Sequence, residues 1–386
     1  MRRRKNATFS LDELLIVSIS LATITGLVVG FFIPRFSETN DVVNTMKKIE
    51  KEYYGKIDKN ELSDAAINGM MNYLNEKHST YMDDEDVQEL NSKLDSSYEG
   101  IGVVIYTSDK GVTIYSVYED TPAAKAGLKA GDIIVKVDDK KITKESDLYE
   151  TKALIAAKKN TNITVKRGKK ELTFKVDVKT LEAPVAIKKE FKSGNKRIGY
   201  IYLQSFAVQS YSQVKKLLEA LEKEKLDGLI FDVRSNTGGY LDSCKDILAL
   251  FEHKGSVLFS IEGKKEVVKY YDENDEERTY PMVVLIDSRT ASSAEALAIS
   301  LKENYGAILV GNTSYGKGTV QKTSSLSDDT MIKYTYAKWY SPLGNSIDGK
   351  GITPGVEVNL TMKYALNPTD NNDDQLKKAI DILSKN

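Results

Sequence analysis

The chain is poor in the side chains that most often carry chemistry at neutral pH. Its 386 residues hold two histidines, His78 and His253, and one cysteine, Cys244. A lone cysteine excludes an intramolecular disulfide and reads as a small buried side chain on a helix. Two histidines and one cysteine make no zinc-type cluster, so no metal and no cofactor is expected. A Ser-His-Asp triad stays open, because its members need not be neighbours in sequence. Neither histidine, however, lies in a string that also presents a nucleophile. An excess of either charge is missing too: 55 basic against 56 acidic residues leave a formal net charge of −1. No broad basic field is available for nucleic acid. Internal repeats and low-complexity segments are absent.

What is present is a hydroxyl and an amine in two suggestive strings. Ser292 lies in T-A-S-S-A-E (290–295), at the head of a helix expected over Ser293–Tyr305. Lys317 lies in Y-G-K-G-T-V-Q (315–321), between two glycines and four residues before Gln321. The pair suggests a serine nucleophile with an amine as general base. A lysine serves as base only when neutral, and burial can bring its pKa from about 10.4 to roughly 7–8. Each string also has a plainer reading. Ser292 and Glu295 fit an S-x-x-E capping box, and a Gly-Lys-Gly turn is commonly solvated. Gly311 to Lys317 also spells the start of a phosphate-binding loop. That motif requires Ser or Thr next and then a helix, whereas here Gly318 and a strand follow.

The N-terminus differs from the rest. Arg2, Arg3, Arg4 and Lys5 precede an uncharged run from Leu14 to Ile33, about 20 residues, the length of a transmembrane helix. The basic flank predicts a cytoplasmic N-terminus, with the remainder extracytoplasmic and tethered to the cytoplasmic membrane. A cleaved signal peptide is the alternative. Residues 37–95 predict a helical arm, with Val42, Val43, Met46, Ile49 and Tyr53 at helical spacing.

Residues 96–180 read as β-hairpins with two helices. Asp109-Lys110-Gly111 is a hairpin turn. Pro122 opens a short helix that Gly127 closes, a longer helix is expected over Asp147–Ala157, and a final hairpin turns at Gly168. The order, with D-T-P-A-A-K-A-G-L-K-A-G-D-I-I (120–134), resembles a PDZ domain of the bacterial protease-associated type. The resemblance implies that a peptide C-terminus binds at Gly100-Ile101-Gly102-Val103, its carboxylate held by backbone N–H groups. Residues 181–362 alternate strands and helices, which predicts an α/β core. A buried strand there runs into Asp232-Val233-Arg234-Ser235-Asn236-Thr237-Gly238-Gly239. Residues 363–386 read as a C-terminal helix and tail, with the helix over Asp374–Leu383.

Together these strings resemble the C-terminal-processing serine peptidases, also called tail-specific proteases. The resemblance covers the helical arm, the PDZ domain and the core, including Ser341–Val358 near its end. It implies a helical arm, a PDZ domain and an α/β core, with Ser292 as nucleophile and Lys317 as base; with the apolar run of the N-terminus, the fold expected is a multidomain α/β (α+β) one with one N-terminal transmembrane helix. It further implies that Gln321 holds the lysine in line. Ser293 leaves a one-residue ambiguity that the family's serine-to-lysine spacing resolves toward Ser292. The oxyanion would be held by backbone N–H groups of Ser293 and of Gly238 or Gly239. The resemblance also implies protein substrates recognised by their C-termini and a homodimer formed through the arm. Arg167 is a candidate gating contact from the PDZ domain to the core, or else a solvated surface arginine. The other functional class left open is a membrane-tethered PDZ scaffold with a dead core. The Lys- and Asn-rich composition suggests a Gram-positive bacterium.

Overall fold

The computed structural model describes residues 37–385, apart from 96, 145, 147, 276, 277 and 328. The chain divides into two compact units, one ending at Tyr81 and one beginning at Met82. The first unit contains helices Ser37–Glu52 and Lys59–Tyr73. Asp58 caps the second helix by accepting from the N–H groups of Asn60 and Glu61, the usual remedy for unpaired donors at a helix start. Several of its apolar side chains remain exposed, Val42, Val43, Ile49 and Met70 among them.

No helix among the described residues is long and apolar enough to cross a membrane. This corrects the expected fold class: no transmembrane helix is among the elements found. The run from Leu14 to Ile33, on which that expectation rested, lies outside the described residues.

In the second unit the PDZ-like part forms a sheet ordered Val103–Ser108, Gly111–Val117, Ile133–Val137, Asn160–Arg167 and Lys170–Asp177. Helix Pro122–Ala126 starts on the Thr121 cap and ends at Gly127, whose φ of 91° is left-handed. That residue is a glycine because L side chains are strained there. Helix Leu148–Ala156 closes the other side, and Ile105, Val112, Ile114, Ile134, Ile163 and Val165 fill the core between.

The α/β core is built on a six-stranded sheet ordered Ala186–Ser193, Lys196–Leu203, Gly228–Asp232, Met282–Ile286, Ile308–Gly311 and Val356–Glu357. The first pair is antiparallel and the others are parallel. Gly228–Asp232 and Met282–Ile286 are buried throughout, as expected of parallel strands covered on both faces. Alternate side chains divide between the faces. Leu229, Phe231, Val284 and Ile286 meet helices Ser210–Leu221, Leu241–Leu248 and Ser293–Ser300. Ile230, Val283 and Leu285 meet Leu376, Ala379 and Leu383 of helix Asp374–Lys385. The C-terminal segment is therefore the second cover of the sheet, and the helix runs two residues further than expected.

A second, antiparallel sheet contains Thr319–Ser325, Met331–Tyr340, Val257–Gly263 and Val267–Tyr271 in that order. The helix expected to reach Tyr305 changes to a π-turn over Leu301–Tyr305. The wider turn lets Asn304 Nδ2 donate to Val257 O at 2.9 Å and Tyr305 Oη donate to Tyr280 O at 2.8 Å.

Beside this turn Glu252 is wholly buried. Ser300 Oγ donates to its Oε1 at 3.2 Å, while Oε2 has no hydrogen-bond partner among the described residues. Burial, mainly, pushes the carboxyl from 4.5 up to about 8, and the nearby Asp272 adds to the rise. The folded chain thus binds this proton more tightly than the unfolded chain. Stability from this group falls as pH rises from about 4.5 to about 8 and levels off above. Glu252→Gln is expected to remove that slope and to raise unfolding free energy at pH 8 by on the order of 3 kcal/mol. Urea titrations of both forms at pH 5 and pH 8 measure it, and identical pH dependence in the two would contradict it.

Candidate active site

Three neighbouring parallel strands end at one edge of the core sheet, at Asp232, Ile286 and Gly311. The loops that leave them carry the three strings noted in the sequence. Their convergence follows from sheet order, since an open parallel sheet collects its functional loops beyond the strands' carboxyl ends.

The first loop is held by buried polar groups. Arg234 donates to Asp232 Oδ2 at 2.6 Å and to Asp373 Oδ2 at 2.8 Å, and Tyr200 Oη donates to Asp232 Oδ2 at 2.8 Å. These bonds fasten the loop to the C-terminal segment. Asn236, fully buried, accepts from Gly238 N at 2.9 Å through Oδ1 and donates to Leu203 O at 2.9 Å through Nδ2. Its backbone oxygen accepts from Ala291 N at 3.0 Å, which ties this loop to the residue before Ser292. Gly238 lies directly against the nucleophile string: a Cβ there would be 2.8 Å from Ser292 Cβ. At Gly239 a Cβ would be 2.2 Å from Phe206 O. Neither position admits a side chain.

The second loop delivers Ser292 with φ 58° and ψ −123°. Such a conformation costs a non-glycine residue on the order of 1–3 kcal/mol and tends to occur where function demands it. It holds the hydroxyl on a sharp strand-to-helix corner, the geometry of a nucleophile elbow, ahead of helix Ser293–Ser300. The first N–H groups of that helix lack intrahelical partners and form its positive end. Ser293 Oγ donates to Gly239 O at 2.9 Å. The neighbouring hydroxyl is therefore a tie between loops, while Ser292 and Glu295 form the capping box that their spacing suggests.

Glu295 joins the second loop to the third. Its Oε2 accepts from Ser292 N at 2.8 Å and from Lys317 N at 2.9 Å. Its Oε1 accepts from Ser314 Oγ at 2.5 Å and from Gly316 N at 2.7 Å. One oxygen atom thus lies between the backbones of the two residues singled out as nucleophile and base. The Lys317 carbonyl accepts from Trp339 Nε1 at 2.9 Å, and Trp339 is 1% exposed. Gly318 N donates to Asp348 Oδ1 at 3.2 Å, and a Cβ on Gly318 would be 2.5 Å from Asp348 Cβ. The backbone of the lysine turn is thereby held by buried groups, with Lys317 itself half-buried, unlike a solvated Gly-Lys-Gly turn.

The other expected residues have mixed placements. Gln321 Nε2 donates to Thr319 Oγ1 at 2.9 Å and to Thr335 Oγ1 at 3.0 Å. The amide nitrogen is spent on the sheet, so an interaction with the lysine falls to the carbonyl oxygen. Gly238 N–H is engaged by Asn236, which shifts the expected oxyanion donors to Gly239 and Ser293. Among the described residues Arg167 makes no hydrogen bond to the core. Its guanidinium donates to Asp132 Oδ1 at 2.6 Å, Asp132 Oδ2 at 2.7 Å and Gly127 O at 2.8 Å, all inside the PDZ-like part. Its side chain stays 32% exposed, above a buried Asp132. The roles of Glu295, Asn236 and Trp339 were not anticipated: Glu295 reads locally as a helix cap, Asn236 as part of the 232–239 string, and Trp339 carries no local signal.

A groove of about 540 Å³ lies between the Gly100–Val103 loop and helix Leu148–Ala156, lined by Ile101, Val103, Ile105, Ile155 and Ala156 among others. Ile101 O accepts from Ala123 N at 2.8 Å and Gly102 O accepts from Tyr118 N at 2.9 Å. In a trans peptide the following N–H points the opposite way, so the N–H groups of Gly102 and Val103 face away from those partners. Gly102, at φ 91°, has no room for a side chain, because a Cβ would be 2.3 Å from Thr121 Cβ.

Comparison with known proteins gives the same architecture. The family model described as peptidase family S41 matches residues 197–358, a PDZ domain model matches 99–178, and a model of the activating protease CtpB N-terminal domain matches 32–86. The chain is 35% identical over 352 residues to the carboxy-terminal processing protease CtpB of Bacillus subtilis, covering 88% of this chain and 72% of that one. It is 36% identical over 318 residues to CtpA of the same organism, covering 81% and 67%. Among solved structures, an S41 protease from Bacteroides fragilis aligns with a TM-score of 0.55 at 16% identity, and a photosystem II D1 C-terminal processing protease with 0.51 at 22%. Each of these two alignments covers 86% of this chain and 91% of the other, and at such identities they speak for the fold alone. The chain belongs to peptidase family S41, as a carboxy-terminal processing serine peptidase that carries a PDZ domain.

Proposed function

We propose that the chain hydrolyses peptide bonds with a Ser292–Lys317 dyad, acting on protein substrates whose C-termini dock in the PDZ groove. The observation that carries the reading is the Glu295 carboxylate. One of its oxygens accepts both the Ser292 and the Lys317 N–H, a junction with no purpose in a solvated lysine turn. Neutral Lys317 takes the Ser292 proton as Oγ attacks the scissile carbonyl. The N–H groups of Gly239 and Ser293 steady the oxyanion, helped by the positive end of the helix that follows. The lysine ammonium then gives its proton to the leaving amine, and water clears the acyl-enzyme. Gln321, anchored by its amide nitrogen, offers its carbonyl oxygen to the amine and keeps it in line. The apolar groove with two backbone N–H groups at one end suits an apolar C-terminal residue and its carboxylate. Apolar residues exposed on the first unit support a homodimer formed through the helical arm.

The pH dependence tests the base. With an amine that must be neutral, kcat/KM is expected to fall about tenfold per unit below the amine's pKa. A fluorogenic peptide assayed between pH 5 and pH 9, with folding followed in parallel, measures it. A flat profile between pH 5 and pH 8 would remove Lys317 as base.

A further inference from the structure

The PDZ groove contains a polar atom that the free chain leaves unused. Tyr98, on the short strand Ser97–Gly100 that leads into the loop, lines the groove. Its hydroxyl is closed off from water and has no hydrogen-bond partner among the described residues. The ring lies across the first glycine of the loop: a Cβ on Gly100 would be 2.6 Å from Tyr98 Cε2. Tyr118, whose N–H fixes the Gly102 carbonyl, lines the same groove.

A phenylalanine at 98 would keep this ring packing and remove the cost of a buried, unpaired hydroxyl. A tyrosine is accounted for if a ligand supplies the missing acceptor. We propose that the Tyr98 hydroxyl donates to the free C-terminal carboxylate of the bound peptide, adding a side-chain donor to the loop's backbone N–H groups. This rests on the PDZ groove being the substrate-docking site. The acceptor is a carboxylate because that group has to sit where the Gly102 and Val103 N–H groups are directed, beside Gly100 and its covering ring. Hydrogen bonds to an ionised acceptor are also the stronger kind. Burial, with Tyr118 beside it, pushes the Tyr98 phenol up to about 12, so it keeps its proton and remains a donor at neutral pH. Because the hydroxyl is covered in the empty groove, peptide entry has to turn the ring or lift the loop. Tyr98 thereby reports whether the groove is filled.

The test uses the full chain carrying Ser292→Ala, so that bound peptide is not cut. The probes are a fluorescent ten-residue peptide ending in Ala-Ala as the free acid and the same peptide as its C-terminal amide. The starting protein is expected to prefer the acid. Adding Tyr98→Phe is expected to weaken acid binding about tenfold, leave amide binding unchanged, and leave the melting temperature the same or higher. Unaltered acid binding in the Tyr98→Phe form would overturn the assignment, as would equal losses for acid and amide, which would mark ring packing alone. A starting protein that binds acid and amide alike would overturn the docking reading itself.

Discussion

Ser292→Ala and Lys317→Ala are each expected to lower kcat/KM by about a thousandfold or more, with folding retained. The structure gives a reason to expect intact folds. The Lys317 main chain is held by Glu295 and by the Trp339 indole, and truncating the side chain leaves both bonds in place. At 292 an alanine meets the same φ of 58° that serine already tolerates. The double variant is expected to be little worse than either single one, because a nucleophile and its base act as a unit. Steady-state cleavage of a protein with an apolar C-terminus, beside calorimetric melting of each variant, measures this. Cleavage that persists in both single variants would end the dyad. Peptide binding without cleavage in the parent would instead favour the scaffold.

Glu295→Gln is expected to produce the second large effect, on stability and rate together. The carboxylate is fully buried and meets four donors: Ser292 N, Lys317 N, Ser314 Oγ and Gly316 N. An amide offers one oxygen. Its NH2 group would face two donors in a closed space, leaving them unpaired. A destabilisation of about 3–5 kcal/mol is expected. Activity measured well below the melting point is expected to fall about a hundredfold, because a small misplacement of nucleophile and base is costly. A variant that melts with the parent and cleaves at its rate would show that the junction is not what aligns the two residues.

Much of this site could be read from the chain because its parts are local. The glycine pair 238–239, the serine before a helix and the lysine between glycines are each short strings. In the fold Gly238 and Gly239 have no room for a side chain, and Ser292 sits on a strained corner. Their meeting could not be read. It arises because the strands ending at Asp232, Ile286 and Gly311 are neighbours in the sheet, a fact of pairing with no local signature. The same limit hid Glu295, whose S-x-x-E spacing is satisfied as a cap while its other oxygen serves a loop some twenty residues on. Arg167 shows another limit of local reading. A cation at a strand end invites a long-range role, yet Asp132 takes it up nearby in space. Helix Asp374–Lys385 read as a tail because its amphipathic stripe does not say which surface it covers. The second sheet went largely unread, since Val267–Tyr271 is mostly exposed and Thr319–Ser325 lacks apolar alternation. The basic, apolar N-terminus suggested a membrane span that none of the described helices provides.

The indole bonded to the Lys317 carbonyl has a practical consequence. The chain contains a single tryptophan, so intrinsic emission excited beyond the tyrosine band originates from one ring, bonded to the lysine turn. A label-free optical readout of that turn is therefore already present in the unmodified chain. Ligands that disturb the lysine segment should change the colour or yield of this light. Occupancy limited to the peptide groove should leave it dark to the event, which makes docking and activation separable in a cuvette.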